Sequence, residues 1–189
     1  LYYLGQFFQN TFGPARLLQS YTMMIVIALY LGFFLAVKFV PKFYDKLPHD
    51  RGREFTEHAA EAKGKPTGAG IVFITIFVFI SILCVPLTAL QSIIVALTWV
   101  SMLTGYLDDK SAKGWGEYLK AFLDLIICLL ASFAMYYYLK QVEVEPKVYF
   151  WLPFYTHVIE VPCWLYVIVG TVILWTSINT TNCTDGVDG

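Results

Sequence analysis

The chain has 189 residues, of which 58% are hydrophobic, 17% aromatic and 14% charged, and its net charge is −1. A soluble domain carries about a quarter charged residues, so this chain holds roughly half the charge that a globular surface needs. The composition excludes a disordered chain, a coiled coil and a basic nucleic-acid-binding arm. It predicts an all-α integral membrane protein that crosses the bilayer several times.

Long uncharged stretches mark the predicted membrane spans. The 21 residues between Arg16 and Lys38 suffice for one helix across about 30 Å of hydrocarbon, and the 42 between Lys65 and Asp108 suffice for two. No alternation of period two runs through these stretches, so helices rather than barrel strands are expected. We predict a five-helix bundle with spans at about 17–40, 68–87, 90–107, 119–139 and 161–182, and a break at 86–91.

Basic residues set the predicted orientation. Ten of the 13 Lys and Arg lie in the connections 38–65 and 108–120, which the positive-inside rule places in the cytoplasm. The cytoplasmic loops are then 41–67 and 108–118, and segments 1–15 and 140–160 are external. We expect an interfacial helix within 1–15 and a short β-hairpin within 140–160.

Two adjacent acids, Asp108 and Asp109, close the third predicted span. Their mutual repulsion adds to the negative end of the helix dipole, and a bound cation would relieve both effects. Hard carboxylate oxygens beside a phosphate suit Mg²⁺. The alternative is a pair of acids that only marks the membrane boundary.

The fifth predicted span ends in a second polar cluster. Two amides and two carboxylates recur every three residues, at Asn179, Asn182, Asp185 and Asp188. Each such step turns a position on an α-helix back by about 60°, so the four share one site only if the helix tightens or unwinds. We expect unwinding near Gly186, with ordinary helix termination in polar residues as the alternative.

The first cytoplasmic loop carries a pattern that suits phosphate binding. Lys63 and Lys65 precede Pro66, Thr67 and two nearby glycines, and Thr67 is the predicted N-cap of the following helix. Glycines let a phosphate approach the backbone, and a lysine can pair with it. A flexible basic loop is the alternative.

Lys120 begins the fourth predicted span on the same face as the acids. Asp124, one turn later, is expected to form an i,i+4 pair with Lys120 rather than to take part in catalysis. Two helix N-termini with lysines and two C-termini with carboxylates together predict a metal–phosphate site at the membrane edge. A soluble phosphorylated substrate and a lipid phosphate could meet there.

At these residues the sequence resembles the polyprenyl-phosphate N-acetylhexosamine-1-phosphate transferases. The motifs are His58 with the run 63–70, the run 105–109, Lys120 and, most specifically, the run 179–189. They are most similar to the branch of the family that transfers phospho-N-acetylmuramoyl-pentapeptide and forms lipid I. Ala62 stands where the family usually has Lys and Lys65 where it has Thr, so either Lys63 or Lys65 could contact substrate.

The resemblance implies a reaction, a cofactor and a location. Undecaprenyl phosphate would attack UDP-N-acetylmuramoyl-pentapeptide in an Mg²⁺-dependent phosphoglycosyl transfer, giving lipid I for peptidoglycan synthesis and releasing UMP. About ten spans are implied, so we expect this chain to be the N-terminal half of one domain in the bacterial plasma membrane, with its active site on the cytoplasmic face. Expected partners are the two substrates and membrane lipids but no nucleic acid, and a homodimer is left open.

The resemblance also assigns roles to the motif residues by position. Asp108 is the expected base for the lipid phosphate, Asp109 supports the metal, and Lys120 completes the catalytic set. Asp109 and Asp185 are the expected metal ligands, with the main metal acid beyond Gly189. Substrate contacts are expected from Lys63, Lys65, Thr67, Asn179, Asn182, Asp185 and Asp188.

The sequence leaves four alternatives open. The nearest is a sister enzyme that transfers GlcNAc-1-phosphate from UDP-GlcNAc to the same carrier. An ion-coupled transporter would place acids at mid-membrane and repeat its halves, whereas these acids lie at the predicted boundary. A scaffold would use the charges structurally only, and a covalent aspartyl intermediate could replace direct attack.

Overall fold

The computed structural model describes residues 1–49, 64–111, 114–142, 147–151, 154 and 156–188, with side chains through residue 181. The chain divides into two compact units, Leu1–Gly114 and Trp115–Gly189. Helices build both units, and the single described strand pair lies in the second.

The first unit begins with helix α1 (Tyr2–Phe8) and a 3₁₀ helix (Gly13–Gln19), which pack against each other. Their close approach depends on Gly5, where an added Cβ would lie 2.8 Å from Cβ of Leu18. Helix α2 (Tyr21–Phe43) follows and ends in a 3₁₀ turn (Tyr44–Lys46). The external, interfacial location of 1–15 stays a prediction.

Helices α3 (Gly70–Cys84) and α4 (Ala89–Lys110) complete the first unit, and α3 packs against both α2 and α4. The predicted break between them is observed, because α4 restarts at a capping box. The Thr88 hydroxyl accepts from the Gln91 N–H at 3.3 Å, and the Thr88 N–H donates to Gln91 Oε1 at 2.9 Å.

The second unit pairs two long helices, α5 (Glu117–Val142) and α6 (Cys163–Asp188). They approach each other closely at Gly170, where an added Cβ would lie 3.0 Å from Oγ of Ser132. Between them lies an antiparallel pair, β1 (Tyr149–Phe150) and β2 (Ile159–Glu160). The short hairpin expected within 140–160 is therefore present, and its external location stays a prediction.

Four helices in the described part of the chain are long and apolar enough to cross a membrane. They are Tyr21–Lys46, Ala89–Lys110, Glu117–Val142 and Cys163–Thr181. Helix α3 is also apolar but has 15 residues, about 22 Å at the rise of an α-helix, so the predicted count of five is not confirmed. Large apolar side chains such as Leu29, Ile82 and Trp164 are more than three-fifths exposed. The chain is thus a polytopic α-helical membrane protein, as its composition predicted.

The end of α6 differs from the sequence prediction. The backbone continues as an α-helix through Gly186 to Asp188, so the predicted unwinding is wrong. A glycine inside a helix costs only about 1 kcal/mol relative to alanine, which does not by itself interrupt a helix that is already propagating. The four polar positions from Asn179 to Asp188 therefore spread over about half of the helix circumference.

Candidate functional site

The two acids that close α4 lie beside two different glycine loops. A Cβ added to Gly68 would lie 3.4 Å from Oδ2 of Asp109, and one added to Gly114 would lie 3.9 Å from Oδ1 of Asp108. Both glycines have left-handed backbone, with φ of +68° and +69°. Consecutive positions on an α-helix are about 100° apart, which explains why the carboxylates meet separate loops.

Backbone pairing with the preceding segment holds the Gly68 loop in place. The Thr67 N–H donates to the Pro48 carbonyl at 2.7 Å, and the Thr67 hydroxyl donates to the same oxygen at 3.3 Å. His49 and Pro66 form an antiparallel bridge beside this contact. The loop is therefore anchored to the segment just after the 3₁₀ turn that follows α2.

The prediction that Thr67 caps the next helix is wrong. Helix α3 begins at Gly70 with Ala69 at the N-cap and no side-chain cap bond. The left-handed conformation of Gly68 turns the chain between Thr67 and the helix, so the Thr67 hydroxyl bonds backward to Pro48 instead. The two hydrogen bonds of Thr67 therefore hold the loop against Pro48.

Tyr106 lies beside Gly68 together with Asp109, a contact that the sequence reasoning missed. A Cβ added to Gly68 would lie 3.2 Å from Cδ2 of Tyr106, and Nζ of Lys110 lies 6.0 Å from the centroid of its ring. The available signal was the i,i+3 spacing from Tyr106 to Asp109, which puts both on one helix face.

In the second unit, Lys120 and Asn179 lie at the same end of the α5–α6 pair. The indole N–H of Trp175 donates to the Ala121 carbonyl at 2.9 Å, which ties the first turns of α5 to α6. The Asn179 amide donates to the Trp175 carbonyl at 2.9 Å, so part of its bonding capacity serves its own helix. Lys120 interacts electrostatically with Asp124, as the i,i+4 spacing predicted.

The other predicted site residues are placed only in part. Lys65 is exposed beside Pro66, whereas Lys63 lies outside the described residues. The side chains of Asn182, Asp185 and Asp188 also lie outside the described part. Thr67 and both α4 acids belong to the first unit, and Lys120 and Asn179 to the second. That these residues form one site stays a prediction.

The carboxylates of α4 have the right donor chemistry for Mg²⁺. That ion keeps several waters and is held by one or two carboxylates together with substrate phosphates. Asp109 places its Oδ2 beside the backbone of Gly68, in a position that also adjoins the rings of Tyr106 and Pro48. Among the described side chains, no group of three His, Cys, Asp or Glu could hold a metal. A site there would need substrate phosphate or further ligands.

Residues 90–189 match the sequence model of glycosyl transferase family 4. The match takes in just over half of the chain, from the start of α4 through both acids and Lys120 to the polar end of α6. The chain belongs to glycosyl transferase family 4.

Family 4 relatives extend the similarity into the first unit. A phospho-N-acetylmuramoyl-pentapeptide-transferase of Treponema pallidum (strain Nichols) is 46% identical over 94% of this chain and 48% of its own length. Proteins of the same name from Kosmotoga olearia and Aquifex aeolicus are 30% and 28% identical, over 87% and 100% of the chain and 54% and 55% of their own. No solved structure gives a match. The chain spans about half the length of the curated relatives it matches, and their shared name agrees with the resemblance drawn from its motifs.

Proposed function

We propose that the intact protein transfers phospho-N-acetylmuramoyl-pentapeptide from its UDP derivative to undecaprenyl phosphate, forming lipid I and releasing UMP. The observation that carries the proposal is the pair of acids at the end of the apolar helix α4, with Asp109 against the backbone of Gly68. A site at this position could contact a lipid headgroup and a soluble nucleotide at the same time. The name shared by the bacterial relatives specifies the transferred group, phospho-N-acetylmuramoyl-pentapeptide, and the resemblance of the motifs implies the lipid and the nucleotide.

The proposed reaction is a phosphoryl transfer between two anions. An oxygen of the lipid phosphate attacks the β-phosphorus of the UDP-sugar, and the bond from that phosphorus to the bridging oxygen breaks. UMP leaves with the electron pair of that bond. Asp108 accepts the proton of the lipid phosphate, which raises the nucleophilicity of the attacking oxygen.

The charges that accumulate in this reaction need cationic partners. Mg²⁺, when bound, would neutralise charge on the diphosphate, and Asp109 and Asp185 would hold it. Lys120 and Asn182 are proposed to bind the diphosphate, with Asn179 beside them. Asp185 and Asp188 would face the nucleotide or metal side.

Loop residues before α3 are proposed to complete the nucleotide pocket. Lys63 or Lys65 would pair with a phosphate, and Thr67 would hold the loop shape through its bonds to Pro48. The positive-inside count supports a cytoplasmic active site in a bacterial plasma membrane, where a soluble UDP-sugar could reach it. The proposed partners are the two substrates and surrounding lipids, and a homodimer remains a proposal.

The test is an assay of the intact protein in lipid nanodiscs with undecaprenyl phosphate, measuring UMP release and the lipid product. We expect turnover with UDP-N-acetylmuramoyl-pentapeptide and loss of turnover in EDTA that returns with Mg²⁺. Turnover with UDP-GlcNAc alone would identify the sister enzyme instead. No release of UMP from either substrate would contradict a transferase.

Substitution of the acids tests the site separately. Asp108→Asn and Asp109→Asn should each lower kcat by about 10²-fold or more, the usual contribution of a positioned base or charge. Asp45→Asn is the matched control, because Asp45 is exposed in the 3₁₀ turn. Turnover like wild type in both α4 variants would favour structural charges and end the site assignment.

A further inference from the structure

An apolar groove of about 730 Å³ lies in the first unit. Helix α2 contributes Leu35 and Phe39, α3 contributes Ile76 and Phe79, and α4 contributes Tyr106. The volume is within the range of small-molecule sites, and hydrocarbon and aromatic side chains form most of the lining. The groove therefore suits a hydrocarbon chain better than a nucleotide or a sugar.

One charged side chain, Lys46, belongs to the described lining of this groove. It ends the 3₁₀ turn after α2, is exposed, and has its Nζ 5.7 Å from the ring centroid of Phe43, another lining residue. Leu47 is buried in the groove, and Pro48 then accepts the two Thr67 hydrogen bonds. The cationic end of the groove is thus the end at which the Gly68 loop is anchored.

Tyr106 makes the groove continuous with the candidate site. Its side chain lines the groove and also lies at Gly68, whose added Cβ would be 3.2 Å from the ring and 3.4 Å from Asp109 Oδ2. Tyr106 therefore lies between the groove and the Asp109 carboxylate. Charge complementarity at this end favours an anionic headgroup.

We propose that the groove holds the first isoprenoid units of the lipid phosphate acceptor, with Lys46 pairing with the phosphate and Tyr106 separating the hydrocarbon from Asp109. This inference rests on the proposed function, which requires a lipid phosphate to reach Asp108. Because bilayer hydrocarbon is as apolar as the groove, the groove contributes shape and orientation, and the Lys46–phosphate pair contributes affinity. Lys46 is then a specificity residue for the acceptor.

The first test is labelling of the intact wild-type protein, which needs no turnover. A polyprenyl phosphate with a diazirine in its first isoprenoid units is photolysed in phosphatidylglycerol-containing nanodiscs, and labelled peptides are mapped by mass spectrometry. We expect label on α2 and α3 that unlabelled undecaprenyl phosphate displaces and equimolar additional phosphatidylglycerol does not. Equal displacement by both lipids would mean ordinary lipid contact, and absence of label from both helices would mean another occupant. Either result overturns the proposal.

The second test is kinetic and uses matched pairs on the same elements. Ile76→Trp fills the groove and should raise KM for undecaprenyl phosphate about tenfold, whereas Ile82→Trp, on an exposed part of α3 outside the groove, should not. Lys46→Gln should raise the KM for undecaprenyl phosphate about tenfold, whereas Lys46→Arg should keep this KM close to the wild-type value. Lys42→Gln should have the KM of wild type. KM for the UDP-sugar should stay constant throughout.

The two proposals fail in different ways. If wild type releases UMP normally but Ile76→Trp and Lys46→Gln keep the acceptor KM of their controls, the groove assignment is overturned and the function stands. If wild type releases no UMP from any UDP-sugar, the function falls and the acceptor assignment falls with it. Poor folding of a groove variant cannot be mistaken for failure of the proposal, because the labelling experiment maps the binding site in the wild-type protein.

Discussion

Replacing Gly68 with alanine tests whether the loop before α3 positions the Asp109 carboxylate. Gly68 has a φ of +68°, a conformation that costs an L-residue about 1–2 kcal/mol. The added Cβ would also lie 3.2 Å from Cδ2 of Tyr106 and 3.4 Å from Oδ2 of Asp109, so the ring and the carboxylate must both shift. The substitution therefore strains the backbone and displaces a proposed metal-binding group.

The two consequences can be given separate magnitudes. A backbone cost of about 1–2 kcal/mol lowers Tm by about 2–8 °C in a chain of this size. Catalytic geometry is more sensitive, because a misplacement of about 1 Å can cost about 10²-fold in rate. A shift of a few tenths of an ångström at Asp109 should then lower kcat about tenfold.

Gly64→Ala is the matched control for this experiment. Gly64 also has positive φ, +89°, but an added Cβ would meet nothing within 4 Å among the described residues. We expect both variants to lose thermal stability in detergent, measured by the temperature at which the folded peak disappears in size-exclusion chromatography. Only Gly68→Ala should also lose turnover per folded molecule. Equal turnover in the two variants would refute the inference that Gly68 positions Asp109.

Three further predictions concern packing and capping. Gly170→Ala should destabilise the α5–α6 pair by about 1–3 kcal/mol, because the added Cβ would lie 3.0 Å from the Ser132 side chain. Adding Ser132→Gly to that variant should recover most of the lost stability. An unchanged Tm in the Gly170→Ala single variant would contradict this prediction. Trp175→Phe removes the hydrogen bond to Ala121 and should cost about 0.6 kcal/mol, seen as faster hydrogen exchange in the first turns of α5. Thr88→Ala removes the N-cap of α4 and should lower the free energy of unfolding by about 1 kcal/mol. The capping box predicts that hydrogen exchange of backbone amides increases only in the first turn of that helix.

Local sequence patterns predicted the parts of the fold that depend on neighbouring residues. Uncharged stretches located the apolar helices, and the break expected at 86–91 lies between α3 and α4. The acids of the third span were expected at a helix end, and Asp108 and Asp109 do lie in the last turn of α4. Each of these features depends on residues that are close together in the sequence, where hydropathy and helix capping act.

Features that depend on distant residues were not predictable in the same way. The Thr67 hydroxyl bonds to Pro48, 19 residues earlier, because Gly68 turns the chain before α3 begins. The participation of Tyr106 in both the groove and the Gly68 contact follows from the packing of α4 against α3. The sequence pattern also suggested unwinding at Gly186, where the helix in fact continues.

By itself, the sequence determined that this chain is a helical membrane protein with carboxylates at the end of an apolar helix, and its motifs resemble those of the polyprenyl-phosphate N-acetylhexosamine-1-phosphate transferases. Its charge distribution and motifs are properties of contiguous residues, so no tertiary contact was needed to read them. Only the tertiary structure decided that Asp108 and Asp109 face separate glycine loops and that an apolar groove with Lys46 at its end reaches Tyr106. These features arise where segments far apart in the chain pack together, and side-chain volume and backbone pairing determine which atoms meet there.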